Sequence, residues 1–275
     1  MKSEPIITSA ALYLGPQDGK VASLPWLERA RAFFAEFSLS PIFFTAYGGD
    51  FLYDDCYVLA ERGKDLNRFG ELIPARGIEL ASAVRDGIIK SLTLDSTRVG
   101  AENRKEWNAT VSVDPGEFYV GIDQKFVGAP SHLLHRAFSM ASGLLNVRYC
   151  VAYKSLLADY PRGYAGGDER STFADVRFMI RNRREWEKRP KTPEKLWSEE
   201  LRGKKRHLDG LFRGAYPASI LSGAHVYNLN RLGNLVGKLS KLDSDHWLWE
   251  LSESEIPSAE EQLAAGGLLV RTQAD

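Results

Sequence analysis

Two histidines stand three positions apart within one stretch of the sequence that predicts a helix. His132 and His135 fall in residues 131–145, where apolar residues recur at helical spacing, so both imidazoles lie on one helix face. Two imidazoles can bind one metal ion, but a zinc site requires a third and usually a fourth ligand. This helix contains no Cys, Asp or Glu. We therefore interpret both residues as surface histidines and predict neither a metal nor another cofactor.

Other groups that could do chemistry lack the spacing that their chemistry requires. Asp50, Asp54 and Asp55 could bind Mg²⁺ or Ca²⁺, but they lack the Gly and downstream Glu of an EF-hand loop and are interpreted as an acidic turn. The glycine-rich stretch 163–167 matches neither GxxxxGK[ST] nor GxGxxG. No GxSxG or SxxK motif occurs, and Cys150 stands in the middle of an apolar run. The sequence therefore assigns no catalytic residue.

The strongest patterned feature is a basic segment that we define as residues 177–206. It holds twelve Lys or Arg and five Asp or Glu, a net charge of +7. Residues 243–275 carry eight Asp or Glu and one Arg, a net charge of −7, although the whole chain is neutral. Basic and aromatic residues interleave in the basic segment, and the candidate binding residues are Arg177, Arg181, Arg184, Trp186 and Lys188. This pattern suits an acidic protein surface, a nucleic acid or a solvated helix.

The elements that would position these residues alternate between strand and helix in the first part of the chain. Strands are predicted at 7–14, 41–47, 88–96, 107–114, 117–126 and 147–157, and helices at 24–37 and 131–145. The hairpin that turns at Pro115-Gly116 has alternating apolar and polar residues, as in a half-buried antiparallel strand. Less clear patterns predict a short strand at 56–60 and helices at 65–72 and 78–85. The order favours an α+β fold in ferredoxin-like style, with a mainly antiparallel sheet and helices on one face.

The second part of the chain differs in character. Residues 160–167 are predicted to be a loop, and the charged stretches 173–189 and 194–212 to be helices. A turn with a short helix is predicted at 216–227, followed by a strand at 246–251, a helix at 259–265 and a strand at 268–271. We therefore divide the chain into an α+β sheet domain, 1–157, and a basic helical segment with a small α+β lobe, 158–275, packed on it.

The composition is that of a globular protein. The 275 residues are 44% hydrophobic and 26% charged, and no apolar run approaches the roughly 20 residues that span a bilayer. The N-terminal residues do not resemble a signal peptide, and two cysteines form no disulfide framework. These features predict a cytoplasmic protein without membrane contact.

The closing part of the chain contains a set of short packing motifs. They are Ala215-Tyr216-Pro217, Ile220-Leu221-Ser222, His225, Trp247-Leu248-Trp249-Glu250 and Gly266-Gly267-Leu268-Leu269-Val270. The set resembles the C-terminal part of uncharacterised bacterial α+β proteins of the polymorphic-toxin and immunity type. The resemblance covers roughly the last 60 residues. It implies an intracellular bacterial protein that works by binding, and it supplies no catalytic residues.

Three functions remain open at this point. The first is a binding protein, an immunity protein that neutralises a cognate toxin by contact with that toxin. The second is an enzyme whose site is assembled from scattered residues at the junction of the two parts: Arg162, Tyr164, His225, Tyr227 and Asn228. The third is a nucleic-acid-associated factor that uses the basic segment.

Overall fold

A computed structural model describes residues 5–15, 22–41, 43–47, 56–58, 65–66, 72–73, 82, 84–87, 89–99, 105–157, 161–165, 210–233 and 235–270. The predicted helix 173–189 and almost all of 194–212 lie outside these residues, as does the Asp50, Asp54 and Asp55 cluster. Within the described ranges, no helix combines the length and the apolar composition that crossing a bilayer would require.

Ten strands form one sheet in which every pair of neighbours is antiparallel. Its strands are β1 (Ile6–Leu14), β2 (Phe43–Tyr47), β3 (Cys56–Val58), β6 (Ser91–Val99), β7 (Lys105–Asp114), β8 (Glu117–Asp123), β9 (Val147–Leu156), β10 (Ala218–Ser222), β11 (Lys238–Lys241) and β12 (His246–Glu250). The order across the sheet is β11-β12-β10-β9-β1-β8-β7-β6-β2-β3. The predicted α+β class with a mainly antiparallel sheet is confirmed. Strands β10 to β12 continue the same sheet beyond β9.

Two helices cover one face of the sheet. They are α1 (Leu24–Glu36) and α2 (Pro130–Ala141), whose apolar sides join Leu12, Val111 and Val120 in one buried core. The Ser23 hydroxyl accepts a hydrogen bond from the Trp26 N–H and caps α1. Arg29 of α1 donates to the carbonyls of Met140 and Ser142 at the end of α2, at 2.9 and 2.7 Å. The predicted placement of both helices on one face is confirmed.

The opposite face is covered by the C-terminal elements. These are α3 (Pro161–Ala165), α4 (Gly223–Arg231) and α5 (Ile256–Ala265). A second core forms here around Tyr13, Tyr149, Phe212 and Trp249. Side chains alternate between the two faces along β1, so that Leu12 lies in the first core and Tyr13 in the second. The sheet is therefore buried on both sides at its centre.

The hairpin of β7 and β8 forms as predicted, but its polar side is not open to water. Gly116 has a φ of 118°, which glycine adopts without steric cost, and it closes the turn between the two strands. Ser112, Thr110 and Asn108 are nevertheless buried, at 1%, 7% and 8% exposure. The Ser112 hydroxyl bonds the Thr93 hydroxyl at 2.9 Å. Hydrogen bonds between neighbouring strands therefore replace the water that the alternating pattern predicts on this side.

Several short elements differ from the prediction. Within the stretch 65–72, predicted to be a helix, the described residues belong to strands: β4 (Asp65–Leu66) pairs with β5 (Leu72–Ile73). Residues 216–227 contain a strand, β10, before the helix α4. The closing strand 268–271 is reduced to one parallel bridge between Phe212 and Leu269, and the loop 160–167 contains the helical turn α3. Residues 210–212 are a turn and a bridge rather than a helix end. Pairing with residues distant in sequence forms β10, which lies beside β9, and the bridge between Phe212 and Leu269.

Candidate functional site

The structure places the five residues suspected of catalysis in two separate groups. Arg162 and Tyr164 belong to α3, and His225, Tyr227 and Asn228 belong to α4. Arg162 forms an ion pair with Asp114 at the end of β7, at 2.8 Å. Helix α3 packs on β1 and β8, whereas helix α4 packs on β10 and β12. Strand β10 is two strands away from β1, so at a strand spacing of about 4.8 Å roughly 10 Å of sheet lies between the two helices.

His225 has both ring nitrogens engaged within the second core. It is 4% exposed and stacks on the Tyr149 ring, with centroids 4.8 Å apart. Its Nε2 lies 2.9 Å from the Leu211 carbonyl, which can only accept, so Nε2 carries the proton. Nδ1 is hydrogen-bonded to the Ser222 hydroxyl at 2.9 Å. These two hydrogen bonds orient the imidazole so that it holds the chain near residue 211.

Asn228 and Tyr227 on the same helix differ sharply in their surroundings. The Asn228 side chain donates to the Gly210 carbonyl at 2.8 Å, one residue before the carbonyl that His225 holds. Gly210 has a φ of 84°, and a Cβ added to it would lie 2.8 Å from the Ala224 oxygen, so only glycine fits there. Tyr227 is 65% exposed. Helix α4 therefore clamps the 210–211 segment from one side and presents an aromatic side chain on the other.

A cleft of about 1170 Å³ lies where the two parts of the chain meet. Residues of β9, of the 213–217 segment, of the β12–α5 connection and of α5 line the cleft, together with Ala129, Pro130 and Ser131 at the start of α2. Of the suspected residues whose side chains the structure describes, namely Arg162, His225, Tyr227 and Asn228, none lines the cleft. A junction cleft of this size is a common place for ligand or partner binding.

Carboxylates surround this cleft. Glu250, Glu253, Glu255 and Glu260 all line it. The Glu260 carboxylate accepts a hydrogen bond from the Ala215 N–H, and the Glu255 carboxylate accepts from the N–H and the hydroxyl of Ser252 at 2.8 and 2.7 Å. The Ser252 hydrogen bonds hold the pKa of Glu255 below its usual value, so this carboxylate is ionised at neutral pH.

Arg213 lies at the inner end of the cleft and is 4% exposed. Its guanidinium lies 5.3 Å from the centre of the Tyr13 ring and donates to the Ala165 carbonyl at 3.2 Å. Burial lowers its pKa from the usual arginine value. Arg213 has no signal in the sequence, because it is a lone arginine in the 212–217 stretch without any recognisable spacing.

The other residues that the sequence offered for chemistry or binding lie in the core or line a groove between two helices. Cys150 is buried in β9, and desolvation raises the pKa of its thiol. Trp249 is 1% exposed and donates to the Val236 carbonyl at 2.9 Å, so it is a core residue. His132 and His135 line a groove of about 630 Å³ between α1 and α2. In the ranges that the structure describes, no three His, Cys, Asp or Glu residues come together as metal ligands.

The predicted partner-binding residues of the basic segment cannot be placed in this geometry. Arg177, Arg181, Arg184, Trp186 and Lys188 all lie outside the described residues. Their role in binding stays a prediction from the sequence.

Comparison with known proteins gives a structural match at low identity. No family model and no curated protein matches this chain. Among solved structures, the chain is similar to the Pseudomonas aeruginosa T6SS protein PA0821, with a TM-score of 0.45 and 12% identity. The similarity covers 96% of this chain and 77% of that one.

Proposed function

We propose that this protein acts by binding another protein through charged surfaces, and that it is an immunity protein that covers the active site of a cognate toxin. The observation that carries the proposal is the segregation of charge, with +7 in the basic segment and −7 in residues 243–275. Charged surfaces of this kind steer a partner toward the correct orientation and accelerate association. The partner we propose for the basic segment is a protein with an acidic surface.

Exposed carboxylates in the C-terminal part of the chain support a binding use of the charge. Asp243 pairs with His246 at 3.0 Å. Asp245, Glu253 and Glu261 are exposed, and none of them forms an ion pair with a lysine or arginine of the described ranges.

A stable scaffold is the second support. The sheet carries a packed core on each face, and α4 fixes the 210–211 segment through two hydrogen bonds. A preorganised surface loses little conformational entropy on association, which favours tight binding of a protein partner. The contacts of His225 and Asn228 are accounted for by this scaffold role.

An enzyme with its site in the junction cleft is the second candidate. The observation that favours it is the cleft itself, with the buried Arg213 and the ionised Glu255 at its wall. Binding of a small substrate there would raise the melting temperature of the isolated protein. A thermal-shift screen of anionic and cationic metabolites tests this candidate directly.

Co-purification tests the proposed function. The tagged protein is expressed at native level in its own organism and purified at low salt, with nuclease-treated and untreated halves of the same lysate. We expect one protein at a stoichiometric ratio in both halves, released as the salt concentration rises. Stoichiometric nucleic acid in the untreated half, with no protein partner in either half, would support a nucleic-acid-binding function. It would contradict the proposed binding of a protein partner.

A further inference from the structure

Strand β9 extends past the end of its neighbour β10 at one end of the sheet. Strand β10 pairs with β9 only from Ala218, which lies opposite Ala152, whereas β9 continues to its last residue at 156. We define residues 153–156 as the β9 overhang. The first three residues of the overhang line the junction cleft, as does the 213–217 segment that leads into β10. Among the described residues, none pairs with the overhang on the side of β10.

The hydrogen bonds between β9 and β1 identify which backbone groups of the overhang face the cleft. The Leu157 N–H donates to the Pro5 carbonyl at 3.0 Å, and the same register continues without a break from Leu156 to Tyr149. Hydrogen-bonded and non-hydrogen-bonded pairs alternate along an antiparallel ladder. Lys154 therefore directs its N–H and C=O away from β1, toward the side of β10. No described residue donates to or accepts from either group.

The side chains of the overhang lie on two different faces of the sheet. Alternation along β9 places Lys154 and Leu156 on the face of the first core and Ser155 on the face of the second core. Leu156 is 41% exposed and lies opposite Ile6, which is 43% exposed, so the two form an apolar platform. Lys154 disfavours a basic residue directly opposite it on this same face. A strand added here therefore fits with apolar side chains on the face of the first core.

Carboxylates dominate the charge of the cleft on the face of the second core. Glu260 accepts from the backbone N–H of the residue before Tyr216, and the Tyr216 ring lies 6.2 Å from the Tyr153 ring at the start of the overhang. Glu253 and Glu255 line the same cleft. None of these three glutamates forms an ion pair with a described lysine or arginine. This negative charge suits basic side chains on that face.

The other cations of the cleft do not cancel this negative charge. Lys238 lies opposite Glu250 in the pair of β11 and β12, so these two charges offset each other. The Arg213 guanidinium lies 5.3 Å from the centre of the Tyr13 ring, and Tyr13 pairs with Tyr149, well before the overhang. At about 3.3 Å per residue, roughly 13 Å of β9 separates that pair from the start of the overhang. The charge of Arg213 is therefore directed toward the middle of the sheet.

We propose that the overhang is a docking edge that binds an extended segment of the partner protein as a strand beside β9. The segment forms backbone hydrogen bonds with the N–H and C=O of Lys154. It places apolar side chains beside Leu156 and basic side chains on the opposite face, toward Glu260, so apolar and basic residues alternate along it. The inference rests on the proposed function, because it names a second surface through which the same protein partner binds.

Selection of peptides on the isolated protein tests the docking edge without knowledge of the partner. A phage library of random octapeptides is selected on the immobilised full-length protein. We expect enriched peptides in which apolar and basic residues alternate, and protection of the Lys154 amide from hydrogen exchange when such a peptide is bound. Acidic or helix-forming peptides, the absence of any bound peptide, or protection elsewhere would overturn the inference. A dimer in solution that protects the Lys154 amide without peptide would show a second copy as the occupant and would also overturn it.

An N-methyl scan of the selected peptide tests the backbone contact without altering the protein. The peptide residue that pairs with Lys154 donates its N–H to the Lys154 carbonyl, and the residues on either side of it direct their N–H groups away from β9. We expect methylation of that one nitrogen to weaken binding about tenfold more than methylation of either neighbour, because the carbonyl loses its donor. The two neighbours of the sensitive residue are expected to be basic. Equal effects at successive positions would contradict docking as a strand.

Two double variants with the same change in net charge test the carboxylates. Glu253→Gln/Glu260→Gln neutralises two acids that line the cleft, whereas Asp245→Asn/Glu261→Gln neutralises two exposed acids outside it. We expect the first variant to bind the selected peptide about tenfold more weakly at low salt, with a smaller difference at high salt, and the second to bind it as the wild type does. Equal affinities of the two variants would overturn the inference.

The co-purified partner separates failure of this inference from failure of the proposed function. We expect the selected peptide to displace the partner from the protein. If the peptide does not displace it and both double variants bind the partner as the wild type does, the docking edge is wrong while the proposed function stands. If no protein co-purifies, the proposed function itself fails, and the docking edge fails with it.

Discussion

Three neighbouring residues of α4 permit a graded test of whether this helix is structural or catalytic. The substitutions are Tyr227→Ala, Asn228→Ala and His225→Phe. Tyr227 is 65% exposed, Asn228 makes one hydrogen bond to the 210–211 segment, and His225 makes two hydrogen bonds inside the second core. If the helix serves as a clamp, the loss of stability follows this order.

The expected magnitudes come from these contacts. An exposed side chain away from special features contributes within about 0.5 kcal/mol, so Tyr227→Ala is nearly neutral. Asn228→Ala removes one hydrogen bond and costs about 1 kcal/mol. His225→Phe keeps the ring that stacks on Tyr149 but leaves the Leu211 carbonyl without its donor, which costs about 2–3 kcal/mol. For a chain of this size, each kcal/mol lowers the melting temperature by roughly 2–4 °C.

Urea unfolding, monitored by circular dichroism, measures the free energy of unfolding of each variant. The comparison applies if the m-values of the variants equal that of the wild type. The order His225→Phe, Asn228→Ala, Tyr227→Ala, from largest to smallest loss, supports the clamp. A His225→Phe variant with the wild-type midpoint would refute the hydrogen-bond reasoning. It would leave His225 available for the catalytic role that the sequence suggested.

Three further predictions concern acid stability, the tryptophans Trp247 and Trp249 of β12, and the division of the chain. Because the folded-state pKa of Glu255 is lowered, its stabilising contribution is present above its unfolded pKa near 4.5 and is lost as pH falls through the lower folded value. Glu255→Gln should therefore flatten the melting-temperature profile below about pH 4.5, and identical profiles would contradict this. Trp249→Ala should cost about 3–5 kcal/mol and Trp247→Ala under about 1 kcal/mol in urea unfolding, and equal losses would refute the core assignment of Trp249. Residues 1–157 expressed alone should aggregate, because the second core loses its cover; a soluble, cooperatively unfolding fragment would show independent stability.

The order of elements could be predicted where local signals agree with the tertiary contacts. Ser23 and Pro25 mark the start of α1, and Pro115-Gly116 closes the hairpin, because capping and turn chemistry act within a few residues. Residues 65–72 have helical spacing but contain part of a strand pair instead. The polar side of β7 reads as exposed, yet Thr93 and Ser112 bond each other in the interior. Burial of a side chain depends on the elements that pack over the strand, and the alternation of polar and apolar residues along the strand does not predict those elements.

The candidate site was less predictable than the fold. Arg213 and Glu260 reach the junction cleft from segments 47 positions apart, and neither has a local motif. The open edge at the end of β9 follows from the point at which β10 begins to pair with it, which a single sequence does not encode in any one window. The sequence named His225 as a member of a possible enzyme site, and in the structure its ring nitrogens contact the Leu211 carbonyl and the Ser222 hydroxyl. The segregation of charge, by contrast, is a property of local composition, so it could be predicted directly from the sequence.

The most direct test of the central claim is the affinity of the co-purified partner for a charge-reversed basic segment. Arg181→Glu/Arg184→Glu/Lys188→Glu is compared with a control that reverses three exposed cations elsewhere, Arg31→Glu/Arg85→Glu/Lys90→Glu. Isothermal titration at two salt concentrations and thermal unfolding are measured for both variants. We predict that only the first variant loses affinity, by at least about tenfold at low salt, while both keep the wild-type melting temperature. Unfolding of the first variant, or equal loss of affinity in both, would contradict a binding role for the basic segment.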